Sequence, residues 1–107
     1  MSMTITVSEE IARHLDSLPL GGDDVEDKIR ALLEAEYRRR LTRYSLTDQQ
    51  LQKKYSMSFE EFERRHIVRE RGYTWEVESD TMNWEIAIDG IQTMSKRLAE
   101  LLGRDQR

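Results

Sequence analysis

One short run near the start constrains the fold more than any other feature. In residues 3–7, Met3, Ile5 and Val7 alternate with Thr4 and Thr6. A period of two is the pattern of a half-buried strand. A lone strand leaves its backbone donors and acceptors without partners. No second alternating run follows nearby, so the expected partner is the same run of a second copy.

The remainder reads as helix. Ser8 stands at an N-cap position, with Glu9 and Glu10 in the first turn, where carboxylates favour the helix dipole. Ile11, Leu15 and Leu18 share one face, Pro19 stops the helix, and Gly21 and Gly22 form a turn. Asp23 or Asp24 caps a second helix, expected to run to about residue 43. Its stripe is Val25, Ile29, Leu32, Leu33, Tyr37, Leu41 and Tyr44. It ends in a basic cluster, Arg38, Arg39, Arg40 and Arg43, read as a solvated helix end.

Two capping boxes follow. Thr47 with Gln50, flanked by Leu46 and Leu51, predicts a helix over 47–55. Ser58 with Glu61, flanked by Met57 and Phe62, predicts another over 58–70. Gly72 ends that helix. Residues 73–78 alternate weakly through Tyr73, Trp75 and Val77, as a short strand or an extended linker. A last helix is expected from about Thr81, with Trp84, Ala87, Ile88, Ile91, Met94, Leu98, Leu101 and Leu102 on one face. Gly103 is its stop, and the last four residues fray.

Composition narrows the function. There is no cysteine, which removes disulfides and thiolate chemistry and fits a reducing cytoplasm. No apolar run is long enough to cross a bilayer, and no basic-then-apolar leader opens the chain. His14 and His66 lack partners at metal-ligand spacing, and no phosphate loop or nucleophile motif occurs. Neither an enzyme, a metal, a cofactor nor a small-molecule substrate is expected. The net charge is −4, from 17 basic and 21 acidic residues, which is not a nucleic-acid footprint spread over the whole surface. Hydrophobic residues at 37% against 36% charged are sparse for a self-sufficient monomer, which favours a core shared between copies.

The run Thr4-Ile5-Thr6-Val7-Ser8-Glu9-Glu10-Ile11, the helix to Leu18, the glycine turn and the helix over 25–43 together resemble the ribbon-helix-helix family, in its antitoxin and plasmid-repressor branch. The resemblance covers about forty residues. It implies a mainly α protein with one short N-terminal strand, paired across a homodimer, followed by a helical C-terminal region. Residues 1–44 become the dimerising and DNA-contacting module, and residues 45–107 a partner-binding region. The implied dimer interface is Met3, Ile5, Val7, Ile11, Leu15, Ile29, Leu32 and Leu33. Ser2, Thr4 and Thr6 would face operator DNA, as in other β-ribbon readers. The acidic start of the second helix, Asp23, Asp24, Glu26 and Asp27, opposes a phosphate there.

The region from Leu46 onward is similar in character to the C-terminal parts of small prokaryotic antitoxins. That similarity implies a cognate toxin masked sterically by Phe59, Phe62, Trp75, Met82, Trp84, Ile88 and Ile91. The same residues also suit a small core of the chain's own. Two alternatives stay open: a stand-alone transcription regulator reading DNA through the capped pair at 47–70, and a helical oligomeric scaffold without a nucleic-acid role.

Overall fold

The structure is a computed structural model and describes residues 1–19, 22 and 24–103. Among the described residues there are five helices: α1 (Glu9–Ser17), α2 (Val25–Tyr55), α3 (Phe59–Arg64), α4 (Ile67–Glu70) and α5 (Trp75–Leu101). The chain divides into two compact units, Met1–Glu36 and Tyr37–Arg107, with the division falling inside α2.

In the first unit, Ser8 caps α1, its hydroxyl accepting from the Ile11 N–H at 3.2 Å. The expected strand is absent: no described residue is in a strand, and residues 1–7 precede the first helix without regular structure. The ribbon-helix-helix fold is therefore corrected to an all-helical one. The physical reason is that the alternation of residues 3–7 meets no second edge within its own chain. Without a ladder the pattern has no buried side, and Thr4 and Thr6 are exposed along with Met3, Ile5 and Val7. Ser2, Thr4 and Thr6, expected to face DNA from that paired strand, are all exposed in the irregular segment.

Asp24 caps α2, accepting from the Glu26 N–H at 3.3 Å; Gly21 and Asp23 lie outside the described residues. Lys28 is buried and donates to the Leu15 carbonyl at 3.2 Å, where a cation meets the carbonyl end of α1. Asp16 stands 3.8 Å from the same ammonium. Leu15 and Lys28 are the only buried residues described in this unit.

In the second unit, α2 runs on to Tyr55, past the helix start expected at Thr47. Thr47 does not cap; its hydroxyl donates back to the Arg43 carbonyl at 3.3 Å. Propagating a formed helix adds one hydrogen bond per residue, whereas a restart requires a new nucleus. The helix ends as the Ser58 box approaches. Ser56 adopts a left-handed conformation, φ 56°, and the Met57 N–H returns to the Gln52 carbonyl at 3.2 Å. Ser58 caps α3 by accepting from Glu61 N–H at 3.2 Å. The helix expected over 58–70 is broken at His66, φ 52°, into α3 and α4.

The last helix begins six residues earlier than expected. Thr74 caps α5, accepting from the Val77 N–H at 3.3 Å. Residues 75–78 are helical, neither strand nor linker. Residues 104–107, expected to fray, lie outside the described residues.

The core of this unit is Leu51, Tyr55, Phe62, Ile67, Val77 and Trp84, with Met57, Phe59, Val68 and Ile88 packed against it. Trp84 is fully buried, and its ring lies 5.1 Å from Phe62, 5.2 Å from Phe59 and 5.9 Å from Tyr55, centroid to centroid.

Candidate functional site

Four side-chain hydrogen bonds tie α2 to α5 inside the second unit. The Trp84 indole N–H donates to Asp48 Oδ1 at 2.8 Å. The Tyr55 hydroxyl donates to Asp80 Oδ2 at 2.6 Å. Lys54 Nζ donates to Asp80 Oδ2 at 2.7 Å and to Glu76 Oε1 at 2.6 Å. As α2 residue numbers fall, α5 numbers rise, so the two helices run antiparallel.

The Asp80 node sits at the edge of the core, its side chain 18% exposed. Burial opposes the Asp80 charge, but the hydrogen bonds from Lys54 and Tyr55 outweigh it and hold the carboxyl below its ordinary value. Burial, with the bond to Asp80, pushes the Tyr55 hydroxyl up to about 12. The bonds to Asp80 and Glu76 hold the Lys54 ammonium above its usual range. This arrangement keeps every proton in place near neutrality. It is a structural clamp, without the poised acid or base that proton transfer needs.

A lowered Asp80 contributes stability above the unfolded value of about 3.9, and the contribution is lost as pH falls through the folded value. A raised Tyr55 contributes fully below its unfolded value of about 10, and that is lost as pH rises toward about 12. Asp80→Ala is expected to cost about 1 kcal/mol at pH 7 by leaving the Tyr55 hydroxyl unpaired. It should also flatten the acid limb below about pH 4. Urea midpoints at pH 7 and pH 3 check this. An unchanged acid limb would mean that the node does not carry the linkage. Nothing local in the sequence announced the node, because Lys54 and Asp80 are far apart along the chain.

The residues expected to bind a partner separate into two sets. Phe62 and Trp84 are buried, Phe59 and Ile88 are half-buried against them, and Ile91 is half-buried. In this fold they form the chain's own core or its margin. Trp75 is 82% exposed and Met82 63% exposed. Ile86, not singled out in the sequence, is 57% exposed. Its neighbourhood is open on both sides. Between α2 and α5 lies a groove of about 390 Å³ reaching Arg43, Gln50, Asn83 and Ile86. Between α3 and α5 lies another of about 460 Å³, with Phe59, Ile86 and Ile88 beside Glu63, Glu85 and Asp89.

The residues expected at a dimer interface are also mostly uncovered. In the first unit Ile11 is exposed at 49%, Leu32 at 41% and Leu33 at 42%, while Ile29 is half-buried and Leu15 buried. Leu18 and Val25 are exposed as well.

Among the described residues, no group of three or more acidic or histidine side chains is arranged to hold a metal ion. No helix among them is long and apolar enough to cross a membrane. No family model matches the chain, no curated protein matches it, and no solved structure matches it.

Proposed function

We propose that this chain is a non-catalytic, protein-binding protein of the antitoxin kind. It associates with a second copy through residues 1–36 and masks a partner protein with the helical unit over 37–107. The mechanism is steric cover. The observation that carries the reading is the apolar surface of the first unit. Among its described residues it buries one apolar side chain, Leu15, and leaves Ile11, Leu18, Val25, Leu32 and Leu33 in water. A 36-residue unit with so little core is not self-sufficient, and a shared helical interface supplies what is missing. The association proposed here is between helix faces and uses no strand. The antitoxin part draws on the character of the sequence beyond Leu46 and on the uncovered Trp75 and Met82 of α5.

The full chain is expected to sediment as a dimer. Ile11→Lys with Leu33→Lys should yield monomers, because the charges would have to be desolvated at the interface. Co-expression with the product of the adjacent gene should give a co-purifying complex and relieve that product's toxicity. A wild-type chain that stays monomeric at high concentration would overturn the association. Absence of protection by the wild-type chain would overturn the masking.

A further inference from the structure

Helix α5 carries two apolar lines on opposite sides. One holds Val77, Trp84, Ile91 and Leu98 and faces the core, with Val77, Trp84 and Leu98 buried. The other holds Trp75, Met82 and Ile86, all exposed. At about 100° per residue these three fall within about 20° of a single line, nearly opposite Trp84, over about 16 Å of helix. Helix recognition commonly uses anchors at such positions. An exposed tryptophan in line with two exposed aliphatic residues has no role in this chain's own core.

On the α3 side of this crest the charge has one sign, whereas on the α2 side Arg43 and Asp80 line the groove that Ile86 borders. Glu78, Glu85 and Asp89 lie along one flank, and Glu63 of α3 faces the last two across the groove that Ile86 also lines. These four carboxylates form no ion pair among the described residues. That arrangement selects the occupant. A second copy joined antiparallel through the same crest by twofold symmetry would bring these acids toward their own counterparts. An anionic membrane surface would be repelled. A segment of another protein with apolar anchors on one side and lysine or arginine at its border satisfies both the crest and its rim.

We infer that the Trp75–Met82–Ile86 crest, with the acidic groove between α3 and α5, is a docking site for a cationic amphipathic helix of a partner protein. The inference rests on the masking role proposed above and locates it on the molecule.

Two tryptophans of opposite exposure make the test direct, because acrylamide quenches Trp75 and spares the buried Trp84. The probes are a leucine/lysine amphipathic peptide of about four helical turns and its leucine/glutamate counterpart. With the full chain, the lysine peptide is expected to shield Trp75, the glutamate peptide is not, and added salt should weaken the shielding. Glu85→Lys with Asp89→Lys should weaken lysine-peptide binding about tenfold and admit the glutamate peptide. Ile86→Ser should weaken lysine-peptide binding to the otherwise unchanged chain and glutamate-peptide binding to the charge-reversed one. Unchanged helicity and Trp84 emission show that the variants remain folded. Failure of the lysine peptide to shield Trp75, equal shielding by both peptides, or shielding that rises with protein concentration alone would each overturn the site. A chain that protects against its neighbour's toxicity while any of these holds would retain the function and lose this location for it.

Discussion

Trp84→Ala is expected to lower the stability of the second unit by about 4 kcal/mol, a large share of what a small domain holds. The ring is fully buried, contacts Tyr55, Phe59 and Phe62, and donates to Asp48. Truncation removes its transfer free energy and leaves a cavity that three flanking rings cannot fill without leaving their rotamers. The loss of the indole bond adds little, since Asp48 is partly exposed and also accepts from Gln52 at 3.0 Å. Urea unfolding followed by circular dichroism at the helical minimum gives the value. A cost below about 1 kcal/mol would mean that this ring is not the centre of the core.

Gly90→Ala is expected to cost about 2 kcal/mol even though alanine is the better helix former by about 1 kcal/mol. A Cβ built at Gly90 would lie within 2.8 Å of three Tyr44 ring atoms, Cγ among them. The contact reaches the base of the ring, so Tyr44 must change rotamer or the two helices must part. Tyr44→Ala should relieve the clash, so the double variant is expected to be more stable than additivity predicts. Additive losses in that cycle would show that the penalty lies elsewhere. At a solvent-facing position of the same helix, the same change would raise stability.

Where a physical cause acts within four residues, the sequence carried it. Ser8 and Ser58 are caps because each hydroxyl needs only its own first turn. Thr47 carried the same local pattern and was overridden. Leu51 and Tyr55 extend the apolar side of α2 into the core, and that burial favours continuing the helix. Thr74 was missed because its third following residue is Val77 rather than glutamate or glutamine, which leaves half a capping box. The seven-residue spacing of Val77, Trp84, Ile91 and Leu98 was the signal that could have moved the helix start back. Tyr73, Trp75 and Val77 seemed to alternate, yet Trp75 faces water and Val77 the core, as a helix rather than a strand requires. The strand over 3–7 failed for the opposite reason. Its pattern was clear, but a ladder needs a second edge, and a single chain's periodicity cannot supply one. Among the site residues, the exposure of Trp75 and Met82 was open to sequence reasoning. Ile86 was not, because its solvent side becomes visible only once α5 has a defined core side.

The polar contacts between α2 and α5 act as pegs as well as bonds. Asp48 meets Trp84, Tyr55 meets Asp80, and Lys54 meets Glu76 and Asp80. Sliding one helix past the other by a single turn, about 5.4 Å, would part Trp84 from Asp48 and leave Lys54 at most one of its two carboxylates. The outward crest of α5 therefore behaves as a ruler clamped from behind. Its three marks keep fixed intervals, and a visiting helix must match that scale because this one cannot slide to accommodate it.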